Sequence, residues 1–408
     1  MMKTVYLDNN ATTRTAPEVV EAMGPFFSDL YGNPSSMHFF GGQVGRQVAA
    51  AREKVAALIG ADPGEIVFTS SGTESDNAAI FGTLYSYPEK KHLVISRVEH
   101  PAVLNVAHHL QARGYRITEL GVDSQGRLDL DELRAVLNPD TALVSIMAAN
   151  NETGVLFPVE EISTICREKG VPFHTDAVQA VGKIPMDMRK STIDLLSLSG
   201  HKLHAPKGIG ALYIRKGTRF SPFVIGGHQE SGRRAGTENV PYIVGLGKAA
   251  EFVMAHMEEE NGRVRNLRDR LEQGLLDRIP NTMINGDPER RLPNTCSLSF
   301  EYVEGESILM LLSDQGICAS SGSACTSGSL QPSHVLRAMG VPFTAAHGSI
   351  RFSLSVFNSD EDVDHVIKVL PPIIQRLRDI SPFWKDFLEG KPLSPFMVGG
   401  ESEHHAHG

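Results

Sequence analysis

Short apolar runs alternate with helix-like patterns through the first half of the chain. Each run is three to five residues long, and most are rich in Val, Ile, Leu and Phe, which is typical of strands buried on both faces. Such runs occur at residues 66–69, 93–95, 115–118, 142–146, 172–174, 193–196 and 210–214. The segments between them carry apolar residues at helical spacing. This alternation predicts an α/β fold in which a mainly parallel, seven-stranded sheet is covered by helices on both faces.

The last third of the chain has a different order of elements. A long helical pattern over 241–279 is predicted to bridge two domains. Further predicted elements are a strand at 297–300, a helix at 306–312, a strand at 349–355 and a closing helix at 360–380. This order is typical of a smaller α+β unit.

We therefore expect two domains and a tail. The large domain spans 15–260. The smaller α+β domain combines 1–14 with 261–381 and carries a loop at about 318–332. Residues 382–408 are expected to form a C-terminal tail with a disordered end.

Composition narrows the classes of partner. The 408 residues have a formal net charge of −9 with acids and bases mixed, which argues against nucleic acid and membrane as main partners. No apolar run approaches the ~18 residues that a spanning helix needs, and residues 1–15 lack the apolar segment of a signal peptide. Only four cysteines occur, Cys166, Cys296, Cys318 and Cys325. So few cysteines in so long a chain indicate a reduced, cytoplasmic protein.

The first candidate for chemistry is Lys202, which follows closely on the strand at 193–196. That strand leads into Ser199 and Gly200, and open α/β sheets bind ligands at this edge. A lysine there is suited to form a Schiff base, once burial or a neighbouring cation lowers its pKa from ~10.4. A solvated surface lysine is the alternative, which this one position does not exclude.

Other polar residues also follow the predicted strand ends. They are Thr73, His100, Asn151, Asp176, Gln179 and His201. Because one edge of a parallel sheet collects such residues, we expect them to share a cleft with Lys202. The hydroxyl-rich turn at 70–77 opens a helix there, which favours an anion site, although an ordinary helix N-cap explains the same residues.

The segment from Cys318 to Ser329 contains almost no bulky side chain. It is predicted to be a loop, because it has little to pack into a core. Cys325 is therefore expected to reach solvent. Its spacing from Cys318 is too loose to indicate a zinc site without further ligands.

These motifs together resemble the cysteine desulfurases, which are pyridoxal-phosphate enzymes of the aminotransferase-like fold type I. The resemblance covers residues 3–380 and is carried by the segments 7–13, 70–77, 99–101, 150–154, 175–179, 199–202 and 320–329. The long cysteine-bearing loop is similar to that of one subgroup. Within it, the segments 8–13, 328–334 and 381–384 are most similar to the nitrogen-fixation (NifS) type.

The resemblance implies roles for matching positions. Lys202 would hold pyridoxal 5'-phosphate as a Schiff base and take the substrate Cα proton. Asp176 would bond the pyridinium nitrogen, and His100 would stack on the ring and shuttle protons. Arg351 would grip the substrate carboxylate as a two-donor fork. Further cofactor contacts would come from Gly72, Thr73, Asn151, Gln179, Ser199 and His201, and from Thr237 of the neighbouring subunit in a homodimer.

The implied reaction takes sulfur from L-cysteine, giving L-alanine and a persulfide on Cys325. The sulfur would pass to an iron–sulfur scaffold or another acceptor protein, in nitrogenase maturation, and the Cys325 persulfide would be a possible iron–sulfur ligand. The alternatives are a housekeeping-type desulfurase, a selenocysteine lyase or another fold type I enzyme. A non-enzymatic iron–sulfur scaffold is a further alternative. It has no use for Lys202, Asp176 and His100, and it predicts a protein that stays colourless with the cofactor.

Overall fold

The structure is a computed structural model that describes residues 3–321 and 332–391. Its strands are β1 (Val5–Tyr6), β2 (Ile66–Thr69), β3 (His92–Ser96), β4 (Arg116–Leu120), β5 (Thr141–Ser145), β6 (Phe173–Asp176), β7 (Leu195–Ser199), β8 (Gly210–Ile214), β9 (Thr282–Ile284), β10 (Thr295–Phe300), β11 (Ile317–Cys318) and β12 (Ser349–Ser353). Its α-helices are α1 (Pro17–Met23), α2 (Pro25–Ser28), α3 (Phe39–Leu58), α4 (Gly72–Ser86), α5 (Pro101–Gln111), α6 (Leu130–Val136), α7 (Val159–Glu168), α8 (Val240–Ala255), α9 (Met257–Glu259), α10 (Arg265–Leu276), α11 (Gly305–Ser313), α12 (His334–Ala338), α13 (Phe343–Ala346), α14 (Asp360–Ile380) and α15 (Pro382–Leu388).

The central sheet has seven strands in the order β2-β8-β7-β6-β5-β3-β4. Only β8 runs antiparallel to its neighbours, β2 and β7. Most of these strands are buried along their whole length, because helices cover both faces. The predicted α/β fold with a mainly parallel seven-stranded sheet is confirmed.

A second, antiparallel sheet lies in the last third of the chain, in the order β12-β10-β9. Its apolar core is separate from that of the central sheet and includes Leu298, Phe352 and Val366. Leu7, from the N-terminal segment, belongs to the same core. The N-terminal strand β1 pairs in parallel with β11. The first residues of the chain are therefore packed among the last third.

The prediction of one continuous helix over 241–279 is wrong. A π-helical segment, Glu260–Val264, separates α8 and α9 from α10. Gly262 lies inside this segment, and Asn261 Nδ2 bonds the carbonyl oxygen of Lys183 at 2.8 Å. A glycine and a side chain held by another part of the fold both favour such a departure from α geometry.

The tail begins with structure that the sequence reading missed. Residues Pro382–Leu388 form α15, where Trp384 packs against Tyr302 with ring centroids 5.6 Å apart. The guanidinium of Arg378 lies 4.4 Å from the Trp384 ring centroid. The disorder expected of the tail's end concerns residues outside the described ones. Among the described helices, none has the length and apolar character to cross a bilayer.

Candidate active site

A cavity of about 380 Å³ opens where β6 and β7 end, at the carboxyl edge of the central sheet. Most of the predicted site residues line it: Gly72, Thr73, His100, Asn151, Asp176, Gln179, Ser199, His201, Lys202 and Arg351. The fold therefore brings together residues that lie far apart in the sequence. Their individual roles remain predictions.

Two predicted residues are not among this lining. Thr237 lines a neighbouring depression of about 180 Å³ together with Arg234 and Glu238. Cys325 lies outside the described residues. Ser320 and Ser321, at the start of its segment, do line the main cavity.

Lys202 ends a short 3₁₀ turn that directly follows β7. Its Nζ atom donates hydrogen bonds to the carbonyl oxygens of Asn10 at 2.5 Å and Ala11 at 2.6 Å. Burial, together with the positive charges of Arg351 and Lys183, lowers the pKa of Lys202 to about 7. The amine therefore has a sizeable neutral fraction at physiological pH, which a Schiff-base lysine needs.

The N-terminus of α4 forms one wall of the cavity. Ser71 caps the helix by accepting a bond from the Glu74 amide at 3.1 Å, and Gly72 and Thr73 of the first turn line the cavity. Gly72 packs so tightly there that an added Cβ would lie 2.7 Å from Val178 Cγ2 and 3.3 Å from Ser199 Cβ. A helix N-terminus beside hydroxyl groups suits a phosphate.

Asp176 and His100 both line the cavity. Asp176 is buried and His100 is half-buried. Asp176 Oδ1 accepts a bond from the Val178 amide at 2.9 Å, which orients the carboxyl group. Burial raises the pKa of Asp176, and the charges of His100 and Lys202 oppose that rise. A cationic partner would therefore stabilise the Asp176 carboxylate.

His100 is the N-cap of α5, and its Nδ1 accepts a bond from the Ala102 amide at 3.2 Å. The proton of the neutral ring consequently sits on Nε2. Burial lowers the pKa of His100, while the carboxylate of Asp176 raises it. A neutral imidazole with a defined proton is suited to proton transfer.

The polar atoms of the site that lack hydrogen-bond partners within the described part of the chain include Gln179 Oε1 and Arg351 Nε. Arg351 Nη1 donates to the Asn151 carbonyl at 2.9 Å and Nη2 donates to Asp8 at 2.8 Å. Because buried polar atoms are normally paired, both atoms indicate that the site receives a polar ligand.

The donor set fits pyridoxal phosphate. The α4 N-terminus suits the phosphate, Asp176 suits a protonated ring nitrogen, and Lys202 suits the aldehyde carbon. Arg351 suits the carboxylate of an amino acid.

Comparison with known proteins gives the class. The family model described as aminotransferase class-V matches residues 5–366, and the chain belongs to that family. Over 385 residues, 94% of this chain and 96% of the relative, it is 63% identical to a protein named cysteine desulfurase from Nostoc sp.. It is 57% identical to cysteine desulfurase NifS from Azotobacter vinelandii over 94% of this chain and 96% of that one.

A solved structure titled NifS-like protein superposes with a TM-score of 0.87 at 41% identity, covering 92% of this chain and all of that one (100%). The predicted family, the cysteine desulfurases, and the pyridoxal-phosphate cofactor of such enzymes are thereby confirmed.

Two residues that line the cavity, Asn10 and Asp76, are not predicted individually from the sequence. Each occurs there only within a longer motif, 7–13 or 70–77. Asp76 is the fourth residue after the Gly72 turn and so returns to the same side of α4, which is a helical spacing the sequence does contain. Nothing local in the sequence indicated that Asn10 would reach Lys202.

The predicted metal role of Cys325 concerns a residue outside the described ones. Within 3–321 and 332–391, no group of three or more His, Cys, Asp or Glu side chains is arranged to hold a metal ion.

Proposed function

We propose that this protein is a cysteine desulfurase that converts L-cysteine to L-alanine and holds the sulfur as a persulfide on Cys325. The observation that carries the proposal is the meeting of Lys202, Asp176 and Arg351 in one cavity. These side chains suit the aldehyde and ring of the cofactor and the carboxylate of an amino-acid substrate. The relatives named cysteine desulfurase support the same activity.

Arg351 sets the orientation of the substrate. Its side chain is buried and is fixed at two corners by Asp8 and the Asn151 carbonyl. The Nε edge remains for the substrate carboxylate. This places the substrate amine and Cα toward Lys202, which lines the same cavity.

Proton transfers fall to Lys202 and His100. Bound pyridoxal phosphate supplies an electron sink for charge that develops at the substrate Cα. The neutral Nζ of Lys202 removes the Cα proton, and its low pKa makes that neutral form available. His100 Nε2 holds the proton that later balances charge at the substrate.

The sulfur step transfers one sulfur atom without net oxidation. The Cys325 thiolate forms an S–S bond with the substrate sulfur while the substrate Cβ–S bond breaks. The electron pair of that bond stays on Cβ, which then takes a proton to become the methyl group of alanine. A thiol with a pKa of ~8.5 is a few per cent ionised at pH 7, so a base near the cavity must accept its proton. His100 is the candidate: its Nδ1 takes the proton once the 3.2 Å bond from the Ala102 amide opens, because Nε2 already carries a proton.

The deciding experiment follows the visible absorbance band of the holoenzyme and the fate of sulfur. Wild type is expected to change its spectrum on adding L-cysteine and to yield alanine and a persulfide. Cys325→Ser should retain the cofactor band but form no persulfide, whereas the matched Cys318→Ser should form it normally. Normal persulfide formation by Cys325→Ser would overturn the proposal.

A homodimer is part of the proposal. Several large apolar side chains are strongly exposed in the single chain: Phe27, Tyr31, Met37, Phe39 and Ile225. Exposed apolar surface of this kind favours association. Thr237, which lines a separate depression, would reach the cofactor phosphate of the partner. In sedimentation experiments Phe39→Asp should be a monomer, and the monomer should retain the cofactor less well than wild type. A monomeric wild type at micromolar concentration would refute the homodimer.

The similarity to NifS supports a role in iron–sulfur assembly for nitrogenase, with the sulfur passed to an acceptor protein in the cytoplasm. The free cysteines among the described residues fit a reducing compartment. A nitrogen-fixing strain that lacks its own nitrogen-fixation desulfurase should regain nitrogenase activity when it expresses this chain. Rescue of general iron–sulfur enzymes alone would favour the housekeeping role.

The domain division at 15–260, with 1–14 and 261–381 as the smaller domain, also stays a proposal. It is supported by the separate apolar cores of the two sheets. Limited proteolysis should cut first near residue 260, and early cuts inside the central sheet would contradict the division.

A further inference from the structure

Two opposite charges are buried behind the Lys202 turn. Lys183 and Glu260 are 6% and 7% exposed, and both line a small cavity of about 20 Å³ that Lys202 also lines. Such a volume holds about one water molecule, so the cavity is a packed interior and not a ligand site. The other titratable groups that line it are His204 and His256.

A chain of hydrogen bonds joins Lys183 to Lys202. Lys183 Nζ donates to the Gln179 carbonyl oxygen at 3.3 Å, and Gln179 Nε2 donates to the Asn10 carbonyl oxygen at 3.0 Å. The same Asn10 oxygen accepts the 2.5 Å bond from Lys202 Nζ. Lys183 therefore holds the turn that carries Gln179. The Gln179 side chain and Lys202 Nζ donate to the same acceptor, the Asn10 carbonyl oxygen.

The π-helical segment secures the other side of Lys183. Asn261 Nδ2 bonds the Lys183 carbonyl oxygen, and the neighbouring residue Glu260 presents its carboxyl group to the cavity. A buried ammonium group is costly unless an opposite charge faces it. The break between α9 and α10 thus brings Glu260 to the same small cavity as the buried Lys183.

We propose that Lys183 is a positioning residue for Lys202: opposed by Glu260, its buried ammonium group fixes the Gln179–Asn10 contacts and adds a positive charge behind the Lys202 amine. The proposal rests on the proposed role of Lys202 as the cofactor lysine. It assigns a function to a charge pair that the reaction itself does not use.

The electrostatics agree with this geometry. Burial lowers the pKa of Lys183, and the Glu260 carboxylate opposes that lowering and so favours the charged ammonium form. The charge of Lys183 in turn lowers the pKa of Lys202, after burial and Arg351. It lowers the pKa values of His201 and His204 in the same sense. Since only a neutral amine attacks an aldehyde, the Lys183 charge increases the reactive fraction of Lys202 near pH 7.

The test measures capture of pyridoxal phosphate by cofactor-free protein, without L-cysteine and without turnover. The second-order rate of Schiff-base formation is followed at the visible band from pH 5.5 to 10. Wild type should give a midpoint near pH 7. Lys183→Met should move that midpoint up by about one pH unit and slow capture at pH 7 by about fivefold, because the neutral fraction falls from about one half to about one tenth. Lys183→Arg, which keeps the charge, should restore the wild-type midpoint.

The double variant Lys183→Gln with Glu260→Gln controls for misfolding, because it removes both buried charges and leaves neither without its partner. It should shift the midpoint in the same direction as Lys183→Met. Unchanged midpoints in both charge-removing variants, including equally slower capture at every pH, would overturn the proposal and reduce Lys183 to a structural role. If Lys202→Ala shows the same visible band as wild type, the proposed function is overturned instead.

Discussion

Arg351 Nη2 donates a 2.8 Å hydrogen bond to Asp8 Oδ1, joining residues 343 positions apart in the chain. The contact holds the guanidinium plane by one corner, and the Asn151 carbonyl holds another corner. The Nε atom, which has no hydrogen-bond partner among the described residues, is thereby held in a fixed orientation. A planar donor held in this way distinguishes arginine from lysine at this position.

Arg351→Lys is therefore expected to raise the KM for L-cysteine by roughly 30- to 150-fold, because it loses about 2–3 kcal/mol of charged hydrogen bonding. The kcat should change much less. Steady-state kinetics of alanine formation measure both. The exposed Arg290→Lys is the matched control and should leave KM unchanged. An unaltered KM in Arg351→Lys would remove Arg351 from the substrate site.

Gly72→Ala is expected to weaken cofactor binding by at least ~10-fold. The added methyl group meets Val178 Cγ2 at 2.7 Å and Ser199 Cβ at 3.3 Å, so the N-terminus of α4 must move away from the phosphate position. Absorbance titration of cofactor-free protein measures the affinity. Gly42→Ala, in α3 with no atom near its added Cβ, should bind the cofactor normally. Equal affinities of the two variants would contradict the phosphate assignment.

Asp176→Asn should lower kcat by on the order of 100-fold or more, since a neutral amide does not hold the ring nitrogen protonated. Its cofactor band should also shift. Asp194→Asn provides the control, because Asp194 is another aspartate of the sheet region whose Oδ2 accepts a bond from the Phe173 amide at 2.9 Å. That variant is expected to lose about 1 kcal/mol of stability and little activity. A fully active Asp176→Asn enzyme would exclude the ring-partner role.

His92 predicts how stability responds to acid. Its ring nitrogens lie 2.8 Å from Thr141 Oγ1 and 2.8 Å from Thr118 Oγ1, and burial lowers its pKa to about 4. Below pH 6.5, the ordinary pKa of histidine, His92 takes up a proton in the unfolded chain but not in the folded protein. The stabilisation is thus complete above pH 6.5 and is lost as the pH falls toward 4.

Between pH 7.5 and 5 this loss is about 2 kcal/mol for His92. Urea unfolding should therefore show the stability difference between wild type and His92→Gln shrinking by about that amount at pH 5. The exposed Gln111→Ala, which changes no titratable group, is the control and should differ from wild type by a constant amount. A constant difference for His92→Gln would mean that the folded protein takes up the proton as readily as the unfolded chain.

The sequence predicts the site best where function follows strand ends. Asp176 ends β6, and Lys202 is the last residue of the three-residue turn that follows β7, so local patterns and the parallel sheet are enough to bring them together. The closing helix α14 has the predicted bounds, because its apolar positions repeat regularly and Ser359 caps it with Asp362. These features depend on interactions within a few residues.

Features that depend on packing between distant segments cannot be predicted from such local patterns. The Asp8–Arg351 bond and the Lys183–Glu260 pair join segments that no local pattern relates. The π-helical break at Glu260–Val264 lies inside a sequence whose helical pattern continues across it. Helix α15 was missed because seven residues carry too little periodicity to identify a helix, and Tyr302 and Arg378 supply its packing from elsewhere.

The N-terminal segment has a consequence for synthesis on the ribosome. Asn9 Nδ2 bonds the Ser353 carbonyl oxygen, a partner made 344 residues later. At ordinary rates of translation that interval is about 17–70 s. For the last 151 of those residues, about 8–30 s, the nascent chain already contains Lys202 but lacks the strand that seats Asn10 beside it. A truncated chain therefore has the cofactor lysine without its completed surroundings, and cofactor capture becomes a marker that translation has reached the end of the small sheet.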